Sequence, residues 1–185
     1  ISTLVDITNY ITFAYARPLH VFDADKVTGN IHARMAKDGE TLAALDNKTY
    51  TLTSAMTVIA DDAGPEALAG IIGCEPSSCT EETVNVVLES AWFDPLRTAA
   101  TGRKLGINSD ARYRFERGVD PAFMVPGLEL ATKLVMEMCG GTPSDNVVVG
   151  KTFGDDRLID FPVAAVKRLA GLEVPLPEIK RIFGH

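Results

Sequence analysis

The chain has 185 residues, enough to bury a hydrophobic core as one domain or as one domain and part of a second. With 46% hydrophobic and 23% charged residues it is not disordered, collagen-like or low-complexity, and no apolar run approaches the roughly 18 residues of a membrane span. Lys+Arg 18 against Asp+Glu 25 gives a net charge of −7, which excludes a general polyanion binder and leaves only a local basic patch open.

The chain opens at Ile1 without methionine, basic leader or signal-like apolar segment, and closes on Phe183-Gly184-His185 inside a helical pattern. The expectation is a piece of a longer protein. The first segment of chemical interest is Thr8-Asn9-Tyr10, followed by Arg17-Pro18-Leu19-His20-Val21-Phe22-Asp23. His20 stands in a stiff, mostly apolar frame, where a few polar neighbours would set its pKa and tautomer; a hydrogen-bonded structural histidine is the alternative.

From Ile31 to Leu88 the text is strand-like, with β-branched runs at Ile31–Met35, Thr49–Leu52, Thr57–Ala60 and Val84–Leu88 separated by Gly, Asp, Asn and Pro. Asp46-Asn47 reads as a tight turn, because both residues tolerate positive φ and bond their own backbone. A small sheet is expected. Ala67-Leu68-Ala69-Gly70-Ile71-Ile72-Gly73-Cys74 is small and apolar; its glycines permit either close backbone approach to a ligand or a structural turn. It lacks the spacings of a nucleotide cradle. Glu89 follows an apolar strand, and a carboxylate there needs a dedicated partner, functional or structural.

Between Arg97 and Arg117 six cations (Arg97, Arg103, Lys104, Arg112, Arg114, Arg117) face only Asp110 and Glu116, a local balance of +4. Interleaved with Tyr113 and Phe115 they suit a phosphate backbone with stacked bases. The alternative is an internal salt-bridge lattice with Glu116 and Asp120. Asp120-Pro121 reads as a cap and first-turn proline, and Leu128, Ala131, Leu134, Val135 and Met138 recur at helical spacing before Cys139-Gly140-Gly141 ends the run, with Pro126 kinking the helix or delaying its start.

Thr142–Asp156 has a boundary composition around a short Val147–Val149 strand, and two short helices follow at Pro162–Ala170 and Pro177–Phe183. Strands and helices without strict βαβ alternation predict an α+β fold, with small mixed β-sheets packed against helices. Cys74, Cys79 and Cys139 form neither a disulfide framework nor a zinc knuckle and suit a reducing cytosol. With His20 and His32 they show no ligand spacing, so no metal is expected.

Five blocks in order resemble the editing module of the bacterial phenylalanyl-tRNA synthetase beta-subunit family: Leu4–Tyr10, Arg17–Asp23, Ala67–Gly73, Glu89–Phe93 and Arg114–Pro121. The resemblance implies an editing domain over residues 1–150. Over residues 151–185 it implies the start of the next, winged-helix-like module. It further implies hydrolysis of tyrosyl-tRNA wrongly made on the phenylalanine tRNA, with Thr8, His20, Gly73, Glu89, Ser109 and Ala111 as site residues. His20, Thr8 and Ser109 would be catalytic, holding a water. Glu89, Gly73, Ala111 and His20 would bind substrate, Glu89 accepting from the tyrosine hydroxyl. Arg103, Lys104, Arg112 and Arg114 are the candidate RNA contacts.

Two departures, Arg112 for a small residue and Cys74 for a glycine, bear on the pocket rim, and the arginine that relatives carry near Ile1-Ser2-Thr3 is absent. By the same resemblance the charging chemistry belongs to an alpha subunit in a cytoplasmic α2β2 heterotetramer that uses ATP and magnesium. This segment itself takes no cofactor, with tRNA(Phe) as partner and no membrane. No Ser-His-Asp or Cys-His arrangement is legible, so the expected nucleophile is water, with N–H groups near Gly73 stabilising the oxyanion. The competing reading is a non-catalytic scaffold and RNA-binding module.

Overall fold

In a computed structural model, which describes residues 2–150 and 158–184, the chain begins with a helix that the sequence pattern had not signalled. The Ser2 hydroxyl accepts from the Val5 N–H at 3.4 Å and caps α1 (Thr3–Tyr15), satisfying one of the N–H groups a helix start leaves open. Ile7 and Ile11, one turn apart, form its buried stripe, and Ala16 ends it in the left-handed region (φ 53°) just before Pro18.

The strands that follow are β1 (His20–Asp23), β2 (His32–Met35), β3 (Thr41–Ala43), β4 (Thr49–Thr51), β5 (Thr57–Ala60), β6 (Pro65–Leu68), β7 (Ile72–Gly73) and β8 (Val86–Glu89). They make three small sheets, all antiparallel: β1 with β8, the order β2-β5-β6-β7, and the hairpin β3-β4. A bridge between Ala44 and Cys74 links the hairpin to the four-stranded sheet. Asn47 has φ 61° at the hairpin turn, as its side chain allows. Gly70 has φ +69° between β6 and β7, where a Cβ would also lie 2.9 Å from the rings of both Phe93 and Phe115. Glycine is therefore required at this turn.

Helices close the sheets. Asp94 accepts from the Arg97 N–H at 2.8 Å and caps α2 (Pro95–Leu105), Ser109 accepts from the Arg112 N–H at 3.1 Å and caps α3 (Asp110–Phe115), and Asp120 caps a 3-10 turn (Pro121–Phe123) that leads into α4 (Met124–Cys139). Asp120-Pro121 thus starts a 3-10 turn rather than the α-helix itself. Pro126 falls in the first turn of α4, where no intrahelical N–H bond is lost.

Among the described residues, buried side chains form three clusters. One lies around Leu42, Leu52, Val58, Leu68 and Ile107, a second around Phe22, Ile59, Ala67, Phe93 and Phe115, and a third joins Ile7 and Ile11 of α1 to Ala131 of α4. The second forms one wall of the site described below.

The β-branched run Val147–Val149 is not a strand: residues 142–149 carry no regular structure and these valines are exposed, because among the described residues no neighbouring strand offers a ladder. The chain divides into two compact units, Ile1–Phe153 and Gly154–His185. Within the second, α5 (Ala164–Ala170) and α6 (Leu176–Phe183) bury Ala165 and Ile179, and Phe161 meets Phe183 edge-on at 4.9 Å. Among the described residues no helix is long and apolar enough to cross a membrane, and no group of three His, Cys, Asp or Glu is placed to hold a metal. The architecture is α+β, with small antiparallel sheets and helices.

Candidate active site

The β1-β8 ladder sets His20 opposite Glu89, so their side chains share one face of the ribbon. Both line a cavity of about 230 Å³ together with Gly73 and Ala111, and with Ile59, Leu68, Phe93 and Phe115 as apolar wall. Four of the expected site residues, on four elements far apart in sequence, therefore meet in one place. A cavity of ~150 Å³ accepts one benzene ring. This one has room for a ring with a substituent.

Gly73 is a geometric requirement of His20. A Cβ built at Gly73 would lie 2.4 Å from His20 Cε1 and 2.7 Å from Nε2, so the imidazole rests directly on the backbone of β7. Phe22, on the same face of β1, meets the ring edge-on at 4.4 Å. His20 Nε2 is buried and has no hydrogen-bond partner among the described residues. An unpaired buried polar atom is costly to the fold. Burial lowers the His20 pKa to about 4, which keeps the ring neutral at pH 7.

Glu89 faces the cavity, so part of its surface is reachable from inside, while the surrounding protein desolvates it. Burial pushes its carboxyl up to about 7. Near neutral pH the site thus holds a neutral imidazole and a carboxyl close to its midpoint in the wall of an otherwise apolar chamber. Such a pair can accept from, and donate to, a single hydroxyl.

The other expected residues stand elsewhere. Thr8 is half-buried on α1, and its hydroxyl donates to the Val5 carbonyl at 2.9 Å. The Ser109 hydroxyl donates to the Ile71 carbonyl at 2.7 Å while accepting from the Arg112 N–H. Neither lines the cavity. Ser109 instead ties the β6-β7 turn to α3 and so sets the position of Ala111. Near Gly73, the Cys74 N–H donates to the Glu66 carbonyl at 2.8 Å and the Ile71 N–H to Leu68 at 2.9 Å, so these two amides are committed to the fold.

Arg112 is a correction to the basic patch. It is 8% exposed, bonded through Nε to Glu116 at 2.9 Å and through its terminal nitrogen to the Ile107 carbonyl at 2.5 Å and Asn108 at 2.9 Å. Its stem fills the space of the missing Cβ of Gly102 on α2, which would lie 2.3 Å from Nε. Arg114 bonds Asp110 and lies over the Phe13 ring at 4.8 Å, and Arg117 bonds Glu116 and covers Tyr113 at 3.7 Å. Only Arg103 and Lys104 of the four proposed RNA contacts stand exposed, in the last turn of α2.

Both departures from the family pattern lie off the cavity wall. Cys74 is buried with its thiol against Glu66 at 2.9 Å and Ser77 at 3.1 Å, and burial, with Glu66, raises it to about 11. It is an inert, packed thiol. The residue that sequence reasoning passed over is Arg17, 1% exposed. An arginine between an apolar helix and Pro18-Leu19 was the available signal.

The B3/4 domain family model matches residues 1–140. The phenylalanine–tRNA ligase beta subunit of Bradyrhizobium diazoefficiens is 70% identical over 185 residues, covering 100% of this chain and 23% of that protein. The corresponding subunit of Rhodopseudomonas palustris is 69% identical over the same span, again 23% of its length. The chain therefore spans about a quarter of the length of these curated relatives. The crystal structure of an N-terminal fragment of the phenylalanyl-tRNA synthetase beta-subunit from Pyrococcus horikoshii matches with a TM-score of 0.57 at 19% identity, covering 96% of this chain and 53% of that one. That likeness shows the fold.

Proposed function

The chain belongs to the B3/4 domain family, and from that membership we propose that it is a segment of a phenylalanine–tRNA ligase beta subunit that hydrolyses mischarged tyrosyl-tRNA(Phe). One observation carries the reading. His20 and Glu89 face each other across a ladder, both desolvated, in the wall of an apolar cavity with room for a substituted ring.

The chemistry asks for such a site. A synthetic pocket for phenylalanine cannot strongly reject an isostere that adds only a hydroxyl, so a second, hydrolytic pocket is useful. The second pocket must spare the correct product. Tyrosine brings the hydroxyl that His20 Nε2 and Glu89 lack, whereas phenylalanine leaves both unpaired at a cost of about 1 to 3 kcal/mol. Gly73 admits the imidazole, and Ala111 leaves room for the ring.

Hydrolysis forms a bond between water oxygen and the ester carbonyl carbon and breaks the bond from that carbon to the ribose oxygen. One water proton ends on the ribose oxygen, releasing tyrosine and uncharged tRNA. Neutral His20, lowered to about 4, is a weak base, and the hydroxyls of Thr8 and Ser109 already donate to carbonyls. The attacking water is accordingly oriented by the RNA's own terminal hydroxyl, and the chain contributes selection and placement. Charging of the tRNA, with ATP and magnesium, is assigned to an alpha subunit of a cytoplasmic α2β2 ligase, and tRNA contact on this segment to Arg103 and Lys104.

The test is deacylation of preformed tyrosyl-tRNA and phenylalanyl-tRNA by the full-length enzyme and its Glu89→Ala variant. Selective tyrosyl hydrolysis is expected in the parent, and the variant should lose about 5- to 150-fold of that preference. Hydrolysis of neither ester by the parent would leave a scaffold instead.

A further inference from the structure

His20 and Glu89 form the last rung of a two-stranded ribbon, whose register runs from that rung inward to Asp23 and Val86. A two-stranded ladder is marginal by itself, and its terminal rung is the first to fray. The chain beyond that end is closed by Arg17, three residues before His20. Its side chain is 1% exposed, among the largest fully buried ones. One terminal nitrogen donates to the Ala91 carbonyl at 2.8 Å, two residues past Glu89, and the other donates to the Asp120 carbonyl, in the loop that follows α3 and leads to α4.

The guanidinium stem presses on α4: a Cβ at Gly127 would lie 3.0 Å from Arg17 Cγ. A cation taken out of water to bond two backbone carbonyls, with its Nε left unpartnered, is poor value as general stabilisation. What it achieves is local. One planar group joins the entry to β1, the exit from β8 and the loop after α3, segments that adjoin the elements carrying His20, Glu89 and Ala111.

We propose that Arg17 is a positioning residue, which holds the His20–Glu89 rung closed by stapling the open end of the β1-β8 ribbon to the loop before α4. The inference rests on the proposed hydrolytic role of that pair for its consequence in activity, and on the fold alone for its consequence in structure. Two measurements on the full-length subunit separate these. In the first, hydrogen exchange is followed in Arg17→Met, which keeps the stem, and Arg17→Lys, which keeps the charge but not the two-pronged geometry. Amides of residues 19–23 and 86–90 should exchange about tenfold faster in Arg17→Met, with β2 and β5 unchanged and Arg17→Lys intermediate. Unchanged exchange, or a rise shared by all strands, would overturn the proposal.

In the second, kcat and KM for tyrosyl-tRNA and phenylalanyl-tRNA hydrolysis are measured against pH. With Glu89 read as the acceptor, tyrosyl preference rises with pH through about 7 in the parent. In Arg17→Met, water entering the opened rung should move that midpoint down toward the ordinary carboxylate range and reduce the preference about tenfold. A loss of amount alone, with midpoint and preference unmoved, would make Arg17 structural only and defeat the proposal. If the parent hydrolyses neither ester, the proposed function fails and the exchange pattern decides the stapling role. Should Arg17→Met not fold, the same readings on Arg17→Lys decide it.

Discussion

At position 73 a single hydrogen separates a formed site from a blocked one, because the His20 ring occupies the volume a Cβ would need. Gly73→Ala should displace the imidazole, cost about 1 to 3 kcal/mol of stability, and abolish tyrosyl preference, read by urea denaturation and by deacylation. The paired titrations at His20 and Glu89 make a second prediction at this scale. His20 falls from 6.5 unfolded to about 4 folded, so its contribution is intact above 6.5 and about 3 kcal/mol is lost as pH falls through 4. Glu89 rises from 4.5 to about 7, so its contribution is intact below 4.5 and a similar amount is lost as pH rises through 7. Between 4.5 and 6.5 the two slopes oppose and cancel. Glu89→Gln removes one slope: the variant should lose stability from pH 6.5 toward 4 more steeply than the parent and resist alkaline pH better. Parallel stability curves for the two proteins would refute the assignment.

At the scale of elements, short polar caps decide where helices begin, and each can be removed singly. Asp94→Ala takes the cap from α2 and should cost about 1 kcal/mol with hydrolysis intact. Ser109→Ala removes the cap of α3 and also the donor to the Ile71 carbonyl, so it should cost about 2 kcal/mol and relax the wall that carries Ala111. Its effect on tyrosyl preference should remain smaller than that of Glu89→Ala, because no cavity-lining group is lost. Thermal denaturation and deacylation rates check both. The same logic explains the failed strand at Val147–Val149. Its β-branched residues favour extended backbone, but a strand is a property of two segments, and among the described residues no second one lies beside it.

At the scale of the molecule, the net charge is −7 and Arg112, Arg114 and Arg117 are paired internally, which takes three of the six cations between Arg97 and Arg117 out of the free positive surface. Arg103 and Lys104 remain exposed in the last turn of α2. If they meet phosphates, replacing both with serine should reduce the salt slope of tRNA binding by the full-length ligase by about one to two, whereas Arg112→Met should leave the slope unchanged and destabilise the fold. Equal slopes in all three proteins would move the RNA contact elsewhere.

By itself the sequence determined what depends on near neighbours: the α+β class, the Asp46-Asn47 turn, the strand Thr57–Ala60, the helix ending at Cys139 and the two short helices after residue 160. These rest on period, capping and turn chemistry, which act over a few residues. Even here α1, α2 and α3 were missed, although Ser2, Asp94 and Ser109 stood as caps. The motifs also brought His20, Gly73, Glu89 and Ala111 forward as one set. Only the tertiary structure decided that these four share a cavity, that Thr8, Ser109 and Arg112 do not line it, and that Arg17 closes the ribbon end. Strand register, burial and desolvation arise from contacts between segments tens of residues apart. Composition and spacing carry no record of which segment meets which.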